Sequence, residues 1–386
     1  MNSYRTIDQR LKAWCKMDSP MKKGLLFSFL ITACGLVLYQ YATISTSHAV
    51  EVAKTDQQPE SMVDPVAETP PPGMLPNALL SLSVESDTFP RRAFLVDKRR
   101  RTLTVWEGDG KKLKLLGAYP TDIGQKEGDK LVQGDHRTPE GIYFFQETMD
   151  GYKVDFNQYG SRIFTLDYPN YFDNLEKKTG NGIWLHSIPE SKSLLRGSRG
   201  CVVVRNVVIQ ELAKYIDLKQ TPIVIVGTVD YLSEADWHAQ QAGMRSWLEA
   251  WRQAWGGKDL DAYMAKYSER FRSNGMNKKN WRRYKAGLAD KYSFIEVALN
   301  DVQIFSIGPK LVFRFMQNYK SDVIADSGTK ILYMLKDGDQ YGIIGENWQT
   351  LSPKNQMAKR AAKVRAAAAV DGGASTGNSN AGSSTN

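Results

Sequence analysis

The hydrophobic pattern changes period along the chain, from one long apolar run to strand-length runs, then helical spacing, then strand-length runs again. In the second zone Ala93-Phe94-Leu95-Val96 and Thr102-Leu103-Thr104-Val105-Trp106 read as two β-strands joined by a charged turn over 97–101. Runs at 141–146, 162–166, 182–186, 200–204 and 222–226 predict more strands, and 206–215 a helix. From Glu234 the residues Trp237, Met244, Trp247, Leu248, Trp251 and Trp255 recur at helical spacing, followed by predicted helices over 259–267 and 278–288. Strand patterns then return at 294–299, 302–307, 311–319, 327–336 and 341–348. The expectation is an α+β protein: a β-dominated domain over 90–228, then a domain over 234–350 in which helices precede a strand meander.

The ends read differently. Residues 24–44 are nearly all apolar and follow Arg5, Arg10, Lys12, Lys16, Lys22 and Lys23 against only Asp8 and Asp18. That length and flank predict a single-pass anchor with residues 1–23 in the cytoplasm and the rest in the periplasm, held to the inner membrane. Two alternatives share the outcome of export: Ile31-Thr32-Ala33-Cys34 resembles a lipoprotein cleavage site, and Met21-Lys22-Lys23 would suit the start of a cleaved signal. Residues 45–89, with Pro70-Pro71-Pro72-Gly73, read as a disordered Pro-rich tether; 354–386 read as a basic, then low-complexity, disordered tail. Much of the net charge of +9 belongs to these ends. No basic-aromatic pattern of a nucleic-acid module is present, so no nucleic acid is expected as a partner, while a mildly basic surface suits an anionic envelope polymer or serves only solubility and attraction to lipid headgroups.

Cys201 is the one cysteine beyond residue 34. In an exported chain a cysteine left single is either inert core or a working thiol. His186, ending Ile183-Trp184-Leu185, is the leading base to lower its pKa. Of the other histidines, His48 lies beside the membrane, His238 in the long helix, and His136 in a segment that reads as a strand-leading turn. Glycines at 197 and 200 allow a sharp turn whose successive N–H groups converge, as an oxyanion hole requires. No cluster has metal-ligand spacing, so no metal or organic cofactor is expected.

Three separated segments, Gly134-Asp135-His136-Arg137-Thr138-Pro139-Glu140-Gly141, Trp184-Leu185-His186 and Ser198-Arg199-Gly200-Cys201, together resemble the L,D-transpeptidase catalytic (YkuD) domain. The resemblance implies a β-sandwich-like fold in which Cys201 attacks, His186 transfers protons and the carbonyl of Ser187 orients the imidazole. Backbone amides around Arg199, Gly200 and Cys201 would hold the oxyanion, with Ser198 and Arg205 expected at the substrate. The chain departs from the family pattern in having Ser187 after the histidine, Arg199 before Gly200, and Val203 where an arginine often stands.

The second domain is similar to the NTF2-like cone, through Trp247, Trp251, Asp259-Leu260-Asp261, Phe271, Trp281, Phe315, Gln317, Tyr319 and Glu346 to Trp348. Its order after the catalytic domain resembles the cell-shape-determining L,D-carboxypeptidases. The resemblance further implies a thioester acyl-enzyme on peptidoglycan tetrapeptide stems, resolved by an amine as a transpeptidase or by water as a carboxypeptidase, with transpeptidase the expected reading. A murein-binding scaffold with a dead site is the third reading; a papain-like protease is disfavoured because there the cysteine precedes its histidine. The NTF2-like domain is expected to position peptidoglycan or an envelope protein partner. A fragment ending at Thr228 is expected to fold alone, its β-core being complete by Val226.

Overall fold

In the computed structural model, residues 64–82 and 88–351 are described. The predicted flank and anchor over 1–44 and the tail over 354–386 lie outside them; among the described residues no helix is long and apolar enough to cross a membrane. The first elements among the described residues are β1 (Met74–Pro76) and β2 (Leu79–Ser81), inside the predicted tether. This corrects the expectation of disorder up to residue 89. Leu79, Leu80 and Leu82 are fully buried, so the local apolar run overrides the proline-rich composition around it.

The first domain continues with β3 (Arg92–Asp97), β4 (Thr102–Gly108), β5 (Leu113–Pro120) and β6 (Gly141–Asp150). A four-residue helix α1 (Phe156–Tyr159), β7 (Arg162–Leu166), α2 (Tyr171–Leu175), β8 (Trp184–Ile188), β9 (Val202–Arg205), α3 (Asn206–Leu212) and β10 (Pro222–Val226) complete it. Its strands form one eight-stranded sheet in the order β5-β4-β3-β10-β6-β7-β8-β9, with β3–β10 and β8–β9 parallel. Instead of two separate sandwich sheets, a register shift in β6 between Phe145 and Thr148 bends this sheet onto itself. Phe94, Val96, Leu103 and Val105 of one half meet Phe164, Leu185, Val202 and Val204 of the other in a single core. The two edges come together where Asp122, just after β5, bridges Val203 of β9.

β3 and β10 read as continuous apolar runs because both their faces are buried. Phe94, Val96, Ile223 and Ile225 enter the inner core; Ala93, Leu95, Val224 and Val226 face outward into a second core shared with the next domain. That domain opens with β11 (Tyr231–Ser233), which pairs with β1, and α4 (Glu234–Gly256), capped by Ser233 and buried along Trp237, Leu248, Trp251 and Trp255. α5 (Leu260–Ala265), the small hairpin β12 (Arg272–Ser273) with β13 (Met276–Asn277), and α6 (Lys278–Lys291) lead into the meander. β14 (Ile295–Ile307), β15 (Lys310–Ser321), β16 (Ala325–Asp337) and β17 (Gln340–Thr350) form a sheet whose fifth strand is β2. The two predicted strands at 294–299 and 302–307 are one strand, interrupted by a bulge at Asp301, which sits at φ 53°.

The domains are joined by more than the chain. Arg314 of β15 is buried between the rings of Phe89 (4.0 Å) and Phe144 (4.7 Å), and its Nη1 donates to Gln220 O at 2.7 Å. Tyr171 of α2 stacks on Tyr333 at 4.1 Å and donates its hydroxyl to Ile344 O at 2.8 Å. A fragment ending at Thr228 would expose Leu95, Trp106, Leu113, Ile142, Val224 and Val226 and would strand β2 without its sheet. The expectation of an autonomous catalytic domain is therefore replaced: that fragment should show no cooperative thermal unfolding by circular dichroism, whereas residues 64–351 should unfold cooperatively. A sharp melt of the short fragment would show the shared core to be dispensable.

Candidate active site

β8 and β9 run parallel, pairing Leu185 with Val202 and His186 with Val203. Cys201, one residue before β9, is thus level with Trp184, and its side chain lies on the His186 face, diagonally across the strand pair. Burial places His186 at 3% exposure. Its Nδ1 lies 2.9 Å from Ser187 O. A carbonyl only accepts, so Nδ1 carries the proton and Nε2 is left as the basic nitrogen.

The turn before Cys201 is held from within. Gly197 (φ 75°) and Gly200 (φ 130°) occupy backbone conformations that side chains disfavour, and a Cβ on Gly200 would lie 2.7 Å from Arg137 O. Ser198 Oγ donates to Cys201 O at 2.7 Å and accepts from Gly200 N at 3.0 Å. Two expectations change here. Ser198 is buried with its hydroxyl turned into the loop and not toward a substrate, and the Gly200 N–H is already engaged, which leaves the amides of Arg199 and Cys201 as the turn's candidates for an oxyanion hole. Arg199 is exposed at the rim.

Arg205 is also placed differently from the expectation of a substrate contact. Its Nε and Nη2 hold both oxygens of Asp64, and Nη1 donates to Pro189 O (2.9 Å) and Lys192 O (2.7 Å). Every nitrogen of the guanidinium is engaged within the chain, fastening the loop after β8 to the segment before β1. His136 is turned toward Gln125, 2.8 Å from Nδ1 to Oε1, and its neighbour Thr138 accepts Gly124 N: this stretch braces the site from outside. The structure also brings in Tyr159 of α1, whose ring stands edge-on to His186 at 5.3 Å and against Trp184 at 5.2 Å. No sequence signal marks it, since it lies on a four-residue helix 27 positions before the histidine.

Burial sets the protonation of the pair. It pulls the His186 imidazolium down to about 4 and pushes the Cys201 thiol up to about 11, the latter opposed by the Trp184 N–H and by the cations Arg199 and Lys130. Thiol and imidazole are both neutral near neutral pH, so a thiolate at Cys201 would need a base to take its proton, and His186 Nε2 is the candidate.

The second domain holds a separate cavity of about 170 Å³, lined by Trp255, Tyr284, Lys285, Tyr292, Tyr319 and Lys330. Lys285 Nζ lies 4.1 Å from the Trp255 ring centre and 4.9 Å from that of Trp281, and burial draws its ammonium down to about 7. Lys330 is ion-paired with Glu346, which also accepts from the Tyr267 hydroxyl. The other aromatics singled out in sequence, Trp251 and Phe271 among them, are core.

Comparison with known proteins accords with this layout. A family model of the L,D-transpeptidase catalytic domain matches residues 91–225, and one of the Cds6 C-terminal NTF2-like domain matches 243–347. The solved structure of Bdellovibrio bacteriovorus Bd1075 is 45% identical, covering 72% of this chain and 99% of that one with a TM-score of 0.68. The chain belongs to the L,D-transpeptidase (YkuD) family. The helical cell shape determining protein Pgp2 of Campylobacter jejuni shares the fold at 23% identity, over 69% of this chain and 94% of that one, with a TM-score of 0.55. Curated proteins give no match in sequence.

The neutral pair in this L,D-transpeptidase-family site has a measurable consequence. Alkylation of Cys201 by iodoacetamide in the unliganded protein should rise log-linearly from about pH 7 to beyond about pH 9, following the thiolate fraction. A plateau of reactivity extending below neutral pH would show a preformed thiolate–imidazolium pair instead.

Proposed function

We propose that this protein trims peptidoglycan tetrapeptide stems as a cysteine L,D-carboxypeptidase in the service of cell shape. The observation that carries this reading is the pairing of the Cys201–His186 site with an NTF2-like domain along nearly the whole length of Bd1075, an order shared by the fold of Pgp2, a helical cell shape determining protein. His186 Nε2 takes the thiol proton as Cys201 Sγ attacks the carbonyl of the third stem residue, a diamino acid. The oxyanion is met by the amides of Arg199 and Cys201. His186 returns the proton to the departing D-alanine nitrogen, and water, deprotonated by the same imidazole, cleaves the thioester to leave a tripeptide. The same groups serve a transpeptidase if an amine enters in place of water, a reading favoured by the family model of residues 91–225.

The cavity around Lys285 is assigned to holding murein or a partner, which leaves the chemistry to the first domain. Attachment to the inner membrane through 24–44, with both domains in the periplasm, belongs to the same proposal and is supported by the apolar run and its basic flank.

Incubating the purified chain with defined tetrapeptide muropeptides and weighing the products tests it. Tripeptide and free D-alanine are expected; a cross-linked dimer as the main product would favour the transpeptidase. Cys201→Ala and His186→Ala should each lower turnover by about 10³-fold or more, and only the native thiol should yield a protein mass shifted by the acyl group. Near-native turnover by Cys201→Ala would sink the mechanism.

A further inference from the structure

Asp122 lies at the seam where the catalytic sheet closes on itself, fully buried. Its main chain bonds Val203 in both directions at 2.8 Å, two residues after the nucleophile. The carboxylate reaches the other side of the same turn: Oδ2 accepts Gly197 N at 2.8 Å, while Oδ1 accepts Ile123 N at 2.9 Å and Arg101 Nη1 at 2.6 Å. One residue thus grips both ends of the segment from Gly197 to Val203 that carries Cys201. Its neighbours continue the grip, with Ser198 N donating to Ile123 O (2.7 Å) and Gln125 N to Ser198 O (3.0 Å).

Three features separate this from ordinary packing. Burial raises the Asp122 carboxyl above its usual range, against the pull of the Ile123 amide, Arg101 and the Gly197 amide, so the anion sits where an uncharged residue would be easier to bury. Arg101, the cation paired with it, holds φ 48°, a left-handed conformation that disfavours a residue with a side chain. The turn being gripped contains Gly197 and Gly200, and the Ser198 hydroxyl holds it from within only at Gly200 and Cys201, so the Gly197 end is fixed from outside the turn, by Asp122.

We propose that Asp122, with Arg101 as its counter-ion, is a positioning residue that fixes the nucleophile turn so that its amides stand ready for the oxyanion. The inference rests on the acyl-transfer reading of the site. Asp122 acts through the Gly197 amide, and among the described contacts it touches neither the thiol nor the imidazole.

The test uses the full chain and two reagents that differ in their need for an oxyanion hole: a carbapenem, which acylates Cys201 through a tetrahedral intermediate, and iodoacetamide, which alkylates it without one. In Asp122→Asn, acylation and muropeptide kcat should both fall by about 10- to 100-fold with KM within about twofold, as expected when oxyanion donors are misplaced. Alkylation should remain within about twofold of native. Arg101→Met should reproduce the effect and Arg101→Lys should recover most of it; the double variant Asp122→Asn with Arg101→Met should be no worse than the more impaired single one, since the two act as a unit. Should Asp122→Asn fail to fold by circular dichroism, the Arg101 pair decides: a folded Arg101→Met that acylates at the native rate overturns the proposal. So does alkylation falling in step with acylation, which would mean general damage to the site. A native chain that ignores the muropeptide but reacts with the carbapenem would overturn the proposed substrate alone, and the acylation comparison would still decide the role of Asp122.

Discussion

Burial of both faces of β3 and β10 is the constraint on which the rest of the molecule depends. A strand pair apolar on each side requires two cores, and the chain supplies them in different ways. The inner one is made by the sheet folding onto itself, which draws its edges to the seam at Asp122 and Val203 and so sets the turn before Cys201 beside the start of β8. The outer one is made by the second domain, whose long helix and sheet cover the catalytic sheet's back, with β2 lent from before the catalytic domain. Catalytic geometry and domain arrangement are consequences of one hydrophobic requirement.

At the seam, low polarity governs the chemistry. A buried imidazole with Nδ1 committed to Ser187 O and a thiol held neutral by desolvation store little charge at rest. In the acyl transfer proposed for this site, charge would develop during attack, where fixed amides would meet it without reorganising. This gives the turn's rigidity its weight. Ser198, Gly200 and Asp122 are employed in holding backbone, and Tyr159 packs the imidazole from the side.

The segment 64–82, before the catalytic domain, is a strap more than a tether. It anchors at Asp64 on Arg205, pairs through β1 with β11, and enters the second sheet as β2. With Arg314 and Tyr171 reaching across the interface, the active site and the Lys285 cavity belong to one compact unit.

By itself the sequence determined most of the elements and pointed to a candidate pair of reacting groups. Runs such as Ala93 to Val96 and Pro222 to Val226 read as buried strands, tryptophans spaced by a helical period from 237 to 255 read as one buried helix face, and a lone cysteine after two glycines reads as either inert core or a thiol with His186 as its leading base. Local pattern fixes such things because strand and helix periods and side-chain chemistry are properties of short windows. The tertiary structure decided what depends on distant partners. Leu79 and Leu80 are strand because Phe305 and its neighbours await them, Arg205 is a loop fastener because Asp64 lies opposite, and Tyr159 and Asp122 serve the site because the closing sheet carries them there. Long-range pairing is set by how the sheet closes and how the two cores are shared, which no window of sequence contains.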